Sequence, residues 1–172
     1  MCDAACVMNS PRERDARGRP LNARPRDGLG RPMPRGSSGV ARVPDGLVLP
    51  PANSLAEAQR LLDEGLPFHA HEVLEGTWKA APERERDLWQ GLAQLAVGLT
   101  HLLRGNQAGA AALLRRGRDR IAGYADDPPH DIDVPGLIGW ADALVVQLTD
   151  PSRPNASAPE TVAPRLVRTR RR

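Results

Sequence analysis

Proline placement limits which part of this chain can fold. Eight of the 17 prolines lie in residues 1–53 and four more lie after residue 150, and neither segment shows periodic apolar patterning. Proline fixes its own φ and pushes the residue before it toward extended backbone, so the Arg-Pro steps at 19, 24 and 31 oppose a helix there. Turn formers at Asp27-Gly28, Gly36-Ser37-Ser38-Gly39 and Asp45-Gly46 break the segment further. Leu47-Val48-Leu49 is its apolar cluster and the natural place for such an arm to dock. Residues 54–150 remain, roughly 95 residues, enough for one core without disulfides. The expected organisation is an extended or disordered arm over 1–53, a helical bundle domain over 54–150, and a disordered basic tail over 151–172.

Charge divides at the same boundaries. The arm carries nine Arg against five acids, the central region nine Arg and Lys against 15, and the tail six Arg against one. The high isoelectric point therefore belongs to the ends, and the foldable part is acidic. Basic ends can serve nucleic acid, an acidic partner or the chain's own acidic surface. Lys79 is the single lysine among 24 basic residues, which reads as genomic base composition at least as readily as phosphate binding, so nucleic acid is not favoured. Cys2 and Cys6 form neither a zinc framework nor a disulfide scaffold. The first twenty residues lack the apolar run of a signal peptide. The expected location is cytoplasmic.

Inside the central region the apolar spacing is helical throughout. Asn53-Ser54, with Glu57 at the capping-box position, predicts the start of a first helix that ends at Gly65. Pro67 suits the first turn of a second helix that ends near Ala80. A third helix opens at Pro82, with Glu83, Glu85 and Asp87 favouring its N-terminal dipole. From Leu88 to Leu103 it carries no formal charge. Leu88, Leu92, Leu95, Leu99 and Leu102 line one side; Gln90, Gln94, Val97 and His101 line the other. Such a helix belongs at the centre, packed on both faces, and its sixteen residues are too short and polar to span a membrane. Arg104-Gly105-Asn106 reads as a helix end followed by a cap. A fourth helix follows, with Gly109 and Gly117 allowing close contact, and Asp133 with Pro135 opens a fifth that ends at Asp150. The expected fold is all-α, an antiparallel bundle of about five helices flanked by the arm and the tail.

The polar residues worth attention sit on the second helix, in Phe68-His69-Ala70-His71-Glu72-Val73-Leu74-Glu75. His71 and Glu75 lie one turn apart with Glu72 beside them. Phe68, His71, Leu74, Glu75 and Trp78 fall within about 120° around the helix, which places the polar pair inside an apolar stripe and turns His69 away. His69 and His130 read as surface or loop histidines, and Trp78, Trp89 and Trp140 as core. If the third helix faces the second, His71, Glu72 and Glu75 oppose Gln94 and His101. His71, Glu75 and His101 are then candidate ligands for zinc, manganese or iron, with Glu72 as general base and Gln94 orienting substrate. The zincin helix needs a histidine where Glu75 stands, and the di-iron bundle needs Glu-x-x-His, absent after Glu72 and Glu75. The same residues also suit a hydrogen-bonded core network with no chemistry.

Residues 54–124 resemble the bacterial family designated domain of unknown function 309. The resemblance is carried by Phe68 through Glu75 with Trp78, by Leu88-Trp89-Gln90-Gly91-Leu92-Ala93-Gln94-Leu95-Ala96, and by His101 through Gly105-Asn106 to Gly109-Ala110 and Leu113-Leu114. The arm segment from Gly18 to Asp27 looks like leaders of actinobacterial members. The resemblance implies a small helical bundle and the label of predicted metal-dependent hydrolase, which maps onto His71, Glu72, Glu75 and His101. Two functions stand open at this point: a metal-dependent hydrolase, or a non-catalytic binding or scaffolding module whose basic ends reach an acidic partner. A third use of the arm is as a lid, with Arg24 and Arg26 folding back toward Glu72 or Glu75.

Overall fold

A computed structural model describes residues 24–41, 43–44, 47–150, 152 and 163–168. Cys2, Cys6 and the first part of the arm lie outside the described residues. Among those described there are five α-helices and no strand: α1 Pro51–Asp63, α2 Pro67–Ala80, α3 Glu83–Leu103, α4 Gln107–Ile121 and α5 Val134–Thr149. Short 3-10 turns cover Ala122–Tyr124 and Pro129–Asp131. The expected all-α bundle of five helices is what forms. No helix among the described residues is long and apolar enough to cross a membrane.

The connections follow from local chemistry. Gly65 (φ 73) and Gly105 (φ 81) adopt the left-handed backbone that ends α1 and α3. The Asn106 side chain accepts the Gly109 N–H at 2.9 Å, and the Asp133 side chain accepts the Gly136 N–H at 3.2 Å, capping α4 and α5 as expected. The start of α1 is a correction: it begins at Pro51, whose fixed φ suits the first helical position, and Ser54 sits one turn inside. Ser54 is buried, and its hydroxyl accepts from Thr77 of α2 at 2.6 Å. A residue read as a cap is therefore a tie between two helices.

α3 is central, packed between α2 and α4, with Leu88, Leu92, Leu95, Leu99 and Leu102 all buried. α3 and α4 meet through backbone. A Cβ on Gly91 would stand 2.6 Å from Ile121 Cγ2 and 3.0 Å from the Gly117 carbonyl, and one on Gly117 would stand 2.9 Å from the Gly91 carbonyl. Gly117 thus supplies the expected close contact. Gly109 instead lies against its own cap, beside Asn106 and His101.

The second correction concerns α2. Its buried residues are Pro67, His69, Ala70, Val73, Leu74 and Thr77, while Phe68, His71, Glu75 and Trp78 are half-buried at its flanks. The inward stripe centres on Ala70, Val73, Leu74 and Thr77, roughly 110° around the helix from the one expected. Small side chains at 70 and 77 let α1 and α3 come close. The large rings cover the edges.

Both flanking segments touch the bundle. Residues 25–40 form a tight loop in which Asp27 Oδ1 accepts the Leu29 and Arg31 N–H groups at 3.0 and 2.7 Å, and Arg26 pairs with Pro32. Within the segment expected as a basic tail, residues 163–168 lie against α1, α5 and the loop before α5, with Leu166 only 3% exposed.

Candidate functional site

The motif of α2 and the end of α3 form a seat for the N-terminal loop. The Arg26 and Arg104 guanidinium groups lie 5.3 and 5.8 Å from the centre of the Phe68 ring, a cation–π arrangement. Arg104 also donates through Nε to the Leu29 carbonyl at 2.9 Å, with its Nη2 on the same oxygen. Arg26 donates to the Gly30 carbonyl at 2.5 Å. Gly30 has φ 75 and lies so close to Phe68 that a Cβ there would fall inside the ring's contact surface. Further along the arm, the Leu47 carbonyl presses on Gly76 of α2 where a Cβ would stand. Glycine at 30 and 76 is what lets backbone approach so closely.

Beneath this loop lies His69, 1% exposed rather than on the surface as expected. Neither ring nitrogen reaches a partner in full hydrogen-bond geometry among the described residues. Loss of water is the main influence and lowers its pKa from 6.5. The Gly28 backbone and Asp27 oppose that, while Arg26 and His71 add to it. The folded state with a depressed histidine pKa binds fewer protons than the unfolded one. His69 therefore contributes fully above pH 6.5, and that contribution is lost as pH falls through the folded pKa. Acidification below 6.5 should loosen the loop at 27–31 before the helices, read by amide exchange corrected for its intrinsic pH dependence. His69→Leu should flatten that response; an unchanged response would assign it to another group.

On the neighbouring flank, His71 Nδ1 donates to the Phe68 carbonyl at 3.0 Å, and Nε2 lies 3.4 Å from Glu75. Glu75 is also 2.8 Å from Lys79 Nζ. Glu72, Glu75, Gly76 and Lys79 line a half-open pocket of about 130 Å³ closed on its other side by Val43, Pro44 and Leu47. Of the residues predicted from sequence, His71, Glu72 and Glu75 are thus neighbours. His101 is engaged elsewhere. Asn106 uses its Oδ1 on Gly109, so its Nδ2 donates to His101 Nδ1 at 2.9 Å and leaves the proton of the neutral ring on Nε2. Gln94 is half-buried, its Oε1 without a partner among the described residues.

Among the described residues no three His, Cys, Asp or Glu side chains are grouped as metal ligation requires. Of the two arginines expected to act as a lid, Arg26 engages Phe68 and Gly30, and Arg24 is exposed.

A second buried polar group lies outside the motif. Glu85, 7% exposed, accepts from His130 Nε2 at 2.9 Å and from Trp89 Nε1 at 3.3 Å, and the His130 ring tilts over Trp89 at 5.7 Å. The His130 hydrogen bond leads the influences that lower the Glu85 pKa below 4.5, with burial opposing and Trp89 assisting. His130 and Asp131 both hold positive φ, 59 and 57. Sequence carries no local signal for this pairing across 45 residues.

The fold and this geometry define a small helical bundle domain with a seated N-terminal loop. Residues 55–113 match the model of the family described as Domain of unknown function (DUF309), so the resemblance read from the motifs holds over that span. The chain is also 48% identical over 48 residues to "Uncharacterized protein YpuF" of Bacillus subtilis (strain 168). That stretch covers 27% of this chain and 28% of the relative. No solved structure matches significantly.

Proposed function

We propose that this is a non-catalytic binding or scaffolding module of the cytoplasm, in which the His/Glu motif is a structural network that seats the N-terminal loop. One observation carries the reading: Phe68, Gly76 and Arg104 all contact arm residues, and His71 is tied back to the Phe68 carbonyl. Side chains bound to their own chain in this way hold a shape. His101 supports the same reading, since its Nδ1 is part of the turn into α4.

The basic ends fit a partly internal role. Arg165 lies 3.3 Å from Asp63 and Arg168 lies 3.9 Å from Asp133, so some of the tail's charge faces the acidic bundle. An acidic partner would compete with these exposed pairs, each of which contributes little alone.

The competing reading is a divalent-metal hydrolase with His71, Glu75 and His101 as ligands, Glu72 as base and Gln94 orienting substrate; the pocket at Glu72 and Glu75 is what favours it. Elemental analysis of the purified chain beside His71→Ala decides between them. The module reading expects no stoichiometric metal and no change in melting temperature with zinc, manganese or iron. Stoichiometric metal that His71→Ala loses would overturn it.

A further inference from the structure

Residues 163–168, Ala-Pro-Arg-Leu-Val-Arg, are held as a recognised peptide is held. Gln59 of α1 grips the backbone from both sides: its Oε1 accepts the Leu166 N–H at 2.8 Å and its Nε2 donates to the Pro164 carbonyl at 3.1 Å. The loop before α5 offers extended backbone at Ile132. The Asp133 N–H donates to the Leu166 carbonyl and the Arg168 N–H donates to the Asp131 carbonyl, both at 2.9 Å, around an antiparallel bridge between Ile132 and Val167. Alternate side chains then divide. Pro164 and Leu166 enter an apolar crevice walled by Leu62, Leu74, Leu95, Leu99, Leu137 and Trp140, while Arg165 and Val167 face outward. Arg165 meets Asp63 and Arg168 meets Asp133.

Main-chain hydrogen bonds for affinity and pockets for alternate side chains for specificity are the means by which a sheet edge captures an extended peptide. The extended backbone here is a prepared one. Consecutive left-handed residues at His130 and Asp131 are unusual without glycine, and the His130 bond to buried Glu85 holds them. A segment that merely trailed from α5 would need no such backbone and no bidentate amide.

We propose that this crevice is a peptide-recognition site for an extended Pro-Arg-Leu-x-Arg segment of another protein, and that residues 163–168 are its tethered occupant. Thirteen residues, 150–162, join the tail to α5. A short tether gives an effective concentration on the order of millimolar, so a partner must displace the tail to bind. This goes beyond the seating of the N-terminal loop and uses different side chains, so its failure leaves that reading intact.

The test uses the full chain and a fluorescent Ala-Pro-Arg-Leu-Val-Arg peptide followed by anisotropy. Leu166→Asp should disengage the tail and bind the peptide at least about tenfold more tightly than the unaltered chain. Adding Gln59→Ala should abolish that binding. A helical Leu166→Asp chain that ignores the peptide would overturn the proposal. Should that variant fail to fold, amide exchange on the unaltered chain decides: the Leu166 and Arg168 amides should exchange at least about 100-fold faster than those inside α3, and equal protection would make the tail a fixed part of the core. A dimer of the unaltered chain that Leu166→Asp abolishes would assign the crevice to a second copy's tail and overturn the external partner.

Discussion

Trp89→Ala should cost the bundle about 3–5 kcal/mol, the range for deleting a large buried aromatic, read from urea unfolding followed by circular dichroism. Trp89 is 1% exposed in the central helix, so its removal opens a cavity beside Glu85 and the His130 ring. Among the described residues the indole is also one of two side-chain donors that hydrogen-bond buried Glu85. Trp89→Phe separates the two contributions, since it restores most of the volume and none of the N–H; its expected cost is about 1–3 kcal/mol. Linkage gives an independent check. Glu85 has a depressed folded pKa, so its contribution is present above 4.5 and is lost as pH falls through the folded value. The gap between the unaltered chain and Trp89→Phe should therefore narrow on acidification below 4.5. A loss under about 1 kcal/mol for Trp89→Ala would mean that the helices close over the vacancy.

Helix number and approximate span were legible because proline, glycine and the 3.6-residue period act within a few residues of where they stand. Asn106 and Asp133 cap the helices they were expected to cap, and the five leucines of α3 are all buried. What sequence hid was rotation. Phe68 and Trp78 are large and apolar and attract any estimate of the buried face, yet the approach of α1 and α3 selected Ala70, Val73, Leu74 and Thr77, whose small size is an advantage only once the neighbours are in place. A missed signal existed in that 70/73/74/77 spacing, itself helical. The misjudged rotation moved His69 from the surface to the interior and His71 from the interior to a flank.

The candidate site was legible to the same depth. His71 and Glu75 are neighbours because a helix makes them so. His101 belongs to another helix, and its distance from them depends on packing that no local pattern encodes. Likewise, nothing near Arg104 in sequence points to Leu29, or near His130 to Glu85; these contacts span 75 and 45 residues. Long-range polar contacts are specified by the folded surface as a whole, and so a motif can be read correctly in composition and wrongly in use.

Gly30→Val is the sharpest test of that use, because it attacks the seat without altering the bundle. Valine at φ 75 is strained in itself, and its Cβ would collide with the Phe68 ring that Arg26 and Arg104 bracket. The collision with the ring, an overpacking cost of about 1–3 kcal/mol, would raise the population of undocked loop roughly 5- to 150-fold. Trypsin can report it. Arg24 and Arg31 precede proline and resist cleavage, whereas Arg26 and Arg35 do not precede proline. Arg26 is half-buried and bonded to Gly30, so its cleavage should accelerate by that factor, while exposed Arg35 serves as an internal reference. Gly36→Ala is the matched control: it sits at φ 84 in the same loop with nothing within 4 Å of its Cβ, so it bears the backbone cost without the collision. If the seat is what the motif is for, Gly30→Val frees Arg26, Gly36→Ala does not, and both retain the full helical signal. Equal cleavage in the two variants would place the hold on the loop in its own turn, in the Asp27 side chain and not in Phe68, and would leave the motif without the role argued for it.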